Sequence, residues 1–126
     1  MDILDNIKIN VEAFFLENKS DIEKSVYFFM YKVTISNQTD KTIQLLSRHW
    51  DICDANGDIN IIEGEGVIGE QPIMKPGSSF QYNSFCPLKT EFGKMSGFYI
   101  FEEEGTENLF KGLIPEFALV VPTRIN

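Results

Sequence analysis

The chain has 126 residues, of which 43 % are apolar and 13 % aromatic, with a formal net charge of −8 and an isoelectric point of about 4.6. This length predicts one domain spanning 1–126 with a core of its own. The acidic balance argues against nucleic acid as a partner, because phosphate backbones need clustered Lys and Arg and the eleven basic residues are scattered.

The opening "MDILDNIKIN" has no basic stretch followed by an apolar one, so no secretory signal is expected. No apolar run approaches the ~20 residues that a membrane helix needs, so no membrane partner is expected either. Cys53 and Cys86 stand outside any C-x-x-C pair and read as two reduced thiols of a cytoplasmic protein rather than a disulfide.

A two-residue hydrophobic period then runs along almost the whole chain. "IKINVEAFF" puts Ile7, Ile9, Val11, Ala13 and Phe15 on one face. A brief helical turn is expected near "KSDIEKS". "YFFMYKVTI" alternates again, and "NQTD" at 37–40 marks a turn. "TIQLLSRHWDIC" keeps the period but changes phase, from Ile43 and Leu45 to Leu46, Trp50 and Ile52. One extra residue near Leu45–Ser47, a β-bulge, would produce that change. "DANG" at 54–57 is a hairpin tip from which "DINIIE" returns. "KPGSS" at 75–79 is a further turn, "FQYNSF" a strand, and "CPLKTEFGK" a longer loop. "MSGFYIFEEEGTENLFKGLI" is a hairpin with its tip at "EEGTE", and "FALVVP" is a last short strand. The expected architecture is an all-β, immunoglobulin- or fibronectin-III-like sandwich of seven to eight antiparallel strands.

The stretch "GEGVIGEQP" spells G-x-G-x-x-G with Gly64, Gly66 and Gly69. In dinucleotide-binding proteins that spacing lets the backbone approach a pyrophosphate at the start of a helix, whose free N–H groups and dipole hold the anion. Here Pro72 and Pro76 fall where that helix would need its donors, and each would cost about 3 kcal/mol. Glu63, Glu65 and Glu70 add repulsion. The glycines therefore read first as bends in a sheet. A phosphate loop at Gly64, Gly66 and Gly69 stays as the alternative, since backbone amides can nest an anion without a helix.

The segment from Leu45 to Ser84 resembles the ApaG family. The landmarks are Ser47-Arg48-His49-Trp50, the loop Gly64 to Pro72, Pro76-Gly77, Phe80, Tyr82, Ser84, Cys86-Pro87-Leu88, Gly93, Met95, Gly97 and Tyr99. The resemblance implies the same sandwich, no established catalysis, a protein-binding role, and a cellular link to cobalt resistance and magnesium efflux. Phe85, where a small residue is expected, and the less Pro- and Ser-rich "KTEFGKM" depart from the pattern.

Other chemistry is weakly supported. His49 is the only histidine, and Ser47 two residues before it brings no third group to orient a nucleophile pair. A single His and two distant Cys offer no transition-metal set. "EEEG" at 102–105 reads as a solvated hairpin tip rather than a magnesium site. Trp50 reads as core, with an exposed Arg48–Trp50 patch as the alternative. The expected function is non-catalytic and cofactor-free. It is binding of a protein partner through Arg48, His49, Trp50, Glu65 and Glu70 or through a sheet edge, which could equally build a homodimer.

Overall fold

A computed structural model describes residues 1–122. Among these the chain forms nine strands and no α-helix: β1 (Asp2–Ile3), β2 (Ile7–Phe15), β3 (Tyr27–Asn37), β4 (Ile43–Asp54), β5 (Ile59–Glu65), β6 (Ile73–Met74), β7 (Ser79–Leu88), β8 (Phe92–Glu103) and β9 (Leu109–Val120). Seven of them are full strands, and β1 and β6 are two-residue pieces. The "KSDIEKS" region carries two single 3-10 turns, Glu17–Lys19 and Ile22–Lys24.

Two sheets face each other. The larger has the order β1-β9-β8-β4-β5, with β6 also pairing β4; the smaller has the order β2-β3-β7. All pairings are antiparallel except β1 with β9, so the larger sheet is mixed. The phase change in β4 is a bulge between Leu45 and Ser47 in its pairing with β8. It turns Arg48, Trp50 and Ile52 toward the core and Ser47, His49, Asp51 and Cys53 outward, because strand side chains alternate.

"CPLKTEFGK" differs from its expectation as a loop. Cys86, Pro87 and Leu88 continue β7, and Phe92, Gly93 and Lys94 open β8, leaving a tight turn at 89–91. Pro87 is tolerated because of its place on the ladder. Asn37 donates to the Ser78 carbonyl, and pairs bonded to β3 recur every second residue from there. At Pro87 the missing N–H would have pointed off the sheet edge, where a strand proline belongs.

The core is aromatic and centred on Trp50, which is 2 % exposed. Its ring meets Tyr31 at 5.3 Å, Phe117 at 5.9 Å and Tyr99 at 6.3 Å, all edge-on, the arrangement the ring quadrupoles favour. Tyr31 comes from the smaller sheet and the others from the larger, so this cluster joins the two layers. The buried hydroxyls of Tyr82 and Tyr99 satisfy each other across the sandwich. Burial pushes both phenols well above their usual range. Asn37, fully buried, donates to the Lys41 and Met74 carbonyls and accepts from the amide and hydroxyl of Thr39. Cys53 and Cys86 are free thiols, and burial raises the Cys86 pKa to about 11.

The tyrosine pair gives a direct test. Tyr82→Phe or Tyr99→Phe leaves one buried hydroxyl without a partner and should cost about 1–3 kcal/mol in urea unfolding. The double variant removes both hydroxyls and should cost clearly less than the sum of the two.

Candidate functional site

The glycine motif is a tight hairpin welded to the β4 bulge. The Val67 amide donates to the Glu70 carbonyl (2.8 Å) and the Glu70 amide to that of Val67 (2.9 Å). Between them Ile68 and Gly69 both have positive φ, 45° and 78°, as a two-residue primed turn requires. A β-branched residue in that region is strained, and Ile68 is an exposed tip. Val67 points the other way and is fully buried. The Leu46 carbonyl, released by the bulge, accepts from the Gly66 amide (2.7 Å) and from Gln71 Nε2 (2.8 Å). No helix follows: Pro72 and its neighbours run extended into β6, and the Leu45 amide donates to the Pro72 carbonyl.

Arg48 closes the hairpin. Its Nη1 donates to the carbonyls of Glu65 (3.0 Å) and Gly66 (2.9 Å). To reach them the guanidinium crosses the face of Gly64, where a Cβ would lie 2.8 Å from Nη2. Gly66 meets a harder limit: its φ is +64°, and a Cβ there would lie 2.2 Å from the Glu70 carbonyl oxygen. The motif's glycines thus serve an arginine and a hairpin. The amides of Gly66, Val67 and Glu70 are already spent on carbonyls, and the carboxylates of Glu65 and Glu70 are exposed beside them.

The outer face of the larger sheet carries the histidine. His49 Nδ1 lies 3.1 Å from Glu63 Oε2 and Nε2 lies 3.2 Å from Asp51 Oδ1. Its ring stacks on Phe98 at 4.6 Å, and Lys111 Nζ sits 4.2 Å from the centre of that same phenyl ring. The Glu63 carboxylate, then Asp51, raises the His49 pKa above its usual value against the opposing effect of burial. Nε2 is hydrogen-bonded to Asp51, Nδ1 has the Glu63 carboxylate close by without a well-aligned hydrogen bond, and Ser47 is not among their partners.

Trp50 and Arg48 do not form an exposed patch: the indole is core and the guanidinium is occupied by the hairpin. Both instead line the inner end of a groove of about 650 Å³ that opens between β5 and β7, where Ile52, Ile62 and Leu88 supply apolar walls and Asp54, Asp58 and Lys89 close one end; the Phe85 ring lies on the other face of β7, against Phe28. Lys89 bridges Asp54 and Asp58, which holds its ammonium above the usual pKa.

The expected strand at "DINIIE" is β5; what sequence reasoning did not single out is that β5 is the bare edge. Asp54 donates to the Asp58 carbonyl and Gly66 to that of Leu46, so the residues bonded to β4 are the even-numbered ones. The N–H and C=O groups of Ile59, Ile61 and Glu63 therefore point off the free edge. Ile59 is 65 % exposed, Ile61 59 % and Ile62 44 %. The signal was present in "INII", where apolar residues at 59, 61 and 62 break a strict alternation.

Fold and site together define a small two-sheet β-sandwich with a glycine hairpin locked by an arginine and one bare, apolar sheet edge. Its counterparts are specific. The ApaG domain family model matches residues 17–103. A Protein ApaG from Brucella anthropi is 47 % identical over 116 residues, covering 92 % of this chain and 88 % of the relative, and one from Beijerinckia indica is 45 % identical over 118 residues, covering 93 % and 89 %. A crystal structure of a Bordetella pertussis protein described as ApaA superposes with a TM-score of 0.89 at 36 % identity, covering 94 % of this chain and 95 % of that one. The chain belongs to the ApaG family.

Two outcomes follow from this geometry. Arg48→Ala loses two charge-assisted bonds and should cost about 1.5–3 kcal/mol. Gly64→Ala, which drives the guanidinium away, should cost a similar amount, and the double variant little more than either, as a double-mutant cycle in urea would read. His49 has a raised folded pKa, so its contribution is complete below the unfolded value of about 6.5 and disappears as pH rises through the folded value. The stability difference between the natural chain and His49→Gln should therefore shrink across that interval in urea titrations run at successive pH values.

Proposed function

We propose that this chain is a non-catalytic protein-recognition module that binds its partner by adding the partner's strand to the free edge of β5. The observation that carries the reading is the state of that edge. Ile59, Ile61 and Glu63 present unpaired backbone groups, flanked by exposed isoleucines, on a seven-residue strand with no proline, lysine or bulge to blunt it. Main-chain pairing to such an edge is a recurring way to recognise an extended peptide.

The chemistry elsewhere supports a binding role. His49 lies between the Asp51 and Glu63 carboxylates, and in the glycine hairpin the Gly66, Val67 and Glu70 amides already donate to carbonyls of Leu46, Glu70 and Val67. Among the described residues no three His, Cys, Asp or Glu side chains come together as a metal set. On this reading the cobalt and magnesium effect implied by the family resemblance is passed on through the partner protein, with no cation held by the domain.

Ile61→Pro is the discriminating variant. It deletes an N–H that points off the edge and leaves the β4 ladder intact. Affinity capture from the native cell with the natural chain should retain a stoichiometric partner that Ile61→Pro loses, with both proteins equally folded by circular dichroism. Equal capture by both would remove the edge from consideration. In parallel, NMR titration with ATP and dinucleoside polyphosphates, with and without magnesium, should give no saturable shifts at Gly64–Gly69. Such shifts at micromolar ligand would transfer the function to the hairpin.

A further inference from the structure

The β5 edge and the groove behind it share a wall, and their chemistry narrows what can occupy them. We infer that one extended, net-basic segment of a partner reads both at once, pairing with Ile59, Ile61 and Glu63 and sending a large apolar side chain into the groove lined by Ile52, Ile62 and Leu88. The inference rests on the strand-addition reading above and adds the chemistry of the partner to it.

Side chains of an added strand alternate between the two faces of the sheet. Residues placed opposite Ile59, Ile61 and Glu63 lie on the outer face; residues placed opposite Asn60 and Ile62 turn inward, into the space between the sheets. That space is about 650 Å³, ample for one or two large side chains, and it is open at the edge rather than sealed. Ile62 stands at its mouth 44 % exposed, and Ile52 on the larger sheet and Leu88 on the smaller line it further in. Burying a large partner side chain against these three is the kind of contact that anchors an interface.

Charge selects the rest of the segment. Asp51, Asp54, Asp58, Glu63 and Glu65 surround the edge. Lys89 offsets part of Asp54 and Asp58, His49 lies between Asp51 and Glu63, and Arg48 adds one charge at the far end, so the carboxylates still outnumber the cations beside them. The chain as a whole carries −8. A second copy of the chain would bring another acidic edge and another −8, whereas a basic strand gains at both the local and the long-range level. Arg48 also sets the length of the site. By taking the Glu65 carbonyl it closes the edge after Glu63, so the pairing register covers about five residues.

The test is selection from a displayed library of random 12-residue peptides on the intact chain, followed by synthesis of the enriched sequences in tryptophan-free form. Enriched peptides should be net positive, with a large apolar residue at alternate spacing from its neighbours, and a scrambled peptide of the same composition should bind at least about tenfold more weakly. Bound peptide should slow hydrogen exchange at the amides of Ile59, Ile61 and Glu63. It should also shift the emission of Trp50, the only tryptophan of the chain and part of the groove wall. Ile62→Ser, at an exposed position that faces the groove, should lower affinity about tenfold without loss of fold, and Phe85→Ser, on the outer face of β7 beside Phe28, should leave it unchanged. Protected edge amides with unchanged Trp50 emission and unchanged affinity in Ile62→Ser would overturn the groove inference and leave strand addition standing. Unprotected edge amides would overturn both. Enrichment of acidic peptides, equal binding of the scramble, or no enrichment would overturn the assignment of a basic partner.

Discussion

An arginine that faces the interior of a β-sandwich has to find oxygen atoms, and here it finds them by leaving the interior. Arg48 sits on β4 between the bulge and Trp50, pointing toward the core. Its guanidinium runs across β5 and ends on two backbone carbonyls at the sheet edge. That path needs a strand position with no side chain, which is Gly64. It also needs the chain to turn just beyond, so that consecutive carbonyls converge, and the hairpin at Gly66–Glu70 provides that turn. Val67 is thereby seated in the core, and the bulge carbonyl of Leu46 finds its donors. One buried-charge requirement thus accounts for a bulge, two glycines and a hairpin that are separate in sequence.

The same economy gives the residues that look chemically reactive neighbours of their own. A phosphate loop works because its amides have no other acceptor, whereas in this hairpin the amides of Gly66, Val67 and Glu70 face carbonyls 2.7–2.9 Å away. A catalytic histidine needs one nitrogen free for substrate, whereas His49 lies between two carboxylates with its ring against Phe98. Glu63, His49, Phe98 and Lys111 form a ladder across β5, β4, β8 and β9 in which charge and aromatic surface alternate. Its role is to tie four strands together on the face that lacks a second layer.

Much of this fold is legible in the sequence, because a strand's period of two leaves little freedom. The phase change between Leu45 and Ser47 locates the bulge to the residue, and the Gly- and Asn-bearing tips at 54–57, 75–79 and 103–107 mark real turns. Pro87 misled the reading of 86–94, since proline breaks a strand everywhere except where its missing donor faces off the ladder, and that depends on which neighbour β7 has. The site was less legible for a related reason. Whether Ile62 is core or groove depends on how far the smaller sheet extends over it. Whether Ile59 and Ile61 are paired or bare depends on strand order. Neither property is local, so neither leaves a mark in the residues themselves beyond the broken alternation of "INII".

Strand order also sets the bare edge apart from the others. Among the other outer strands, β1 is only two residues long and screens part of β9. β2 carries Lys8, Asn10 and Glu12 on its solvent face, and β7 has Pro87 in the edge-facing register. These are standard protections against unwanted pairing. β5 has no proline or bulge, carries charge only at Glu63 and Glu65 near one end, and adds three exposed isoleucines. A strand of that kind invites aggregation, and the protein counters it with something that does not block the edge, a net charge of −8 that repels further copies. Repulsion at a distance discriminates by charge, where a proline or a bulge would exclude every partner. On the strand-addition proposal, an edge guarded in this way disfavours its own kind and favours an extended chain of opposite sign.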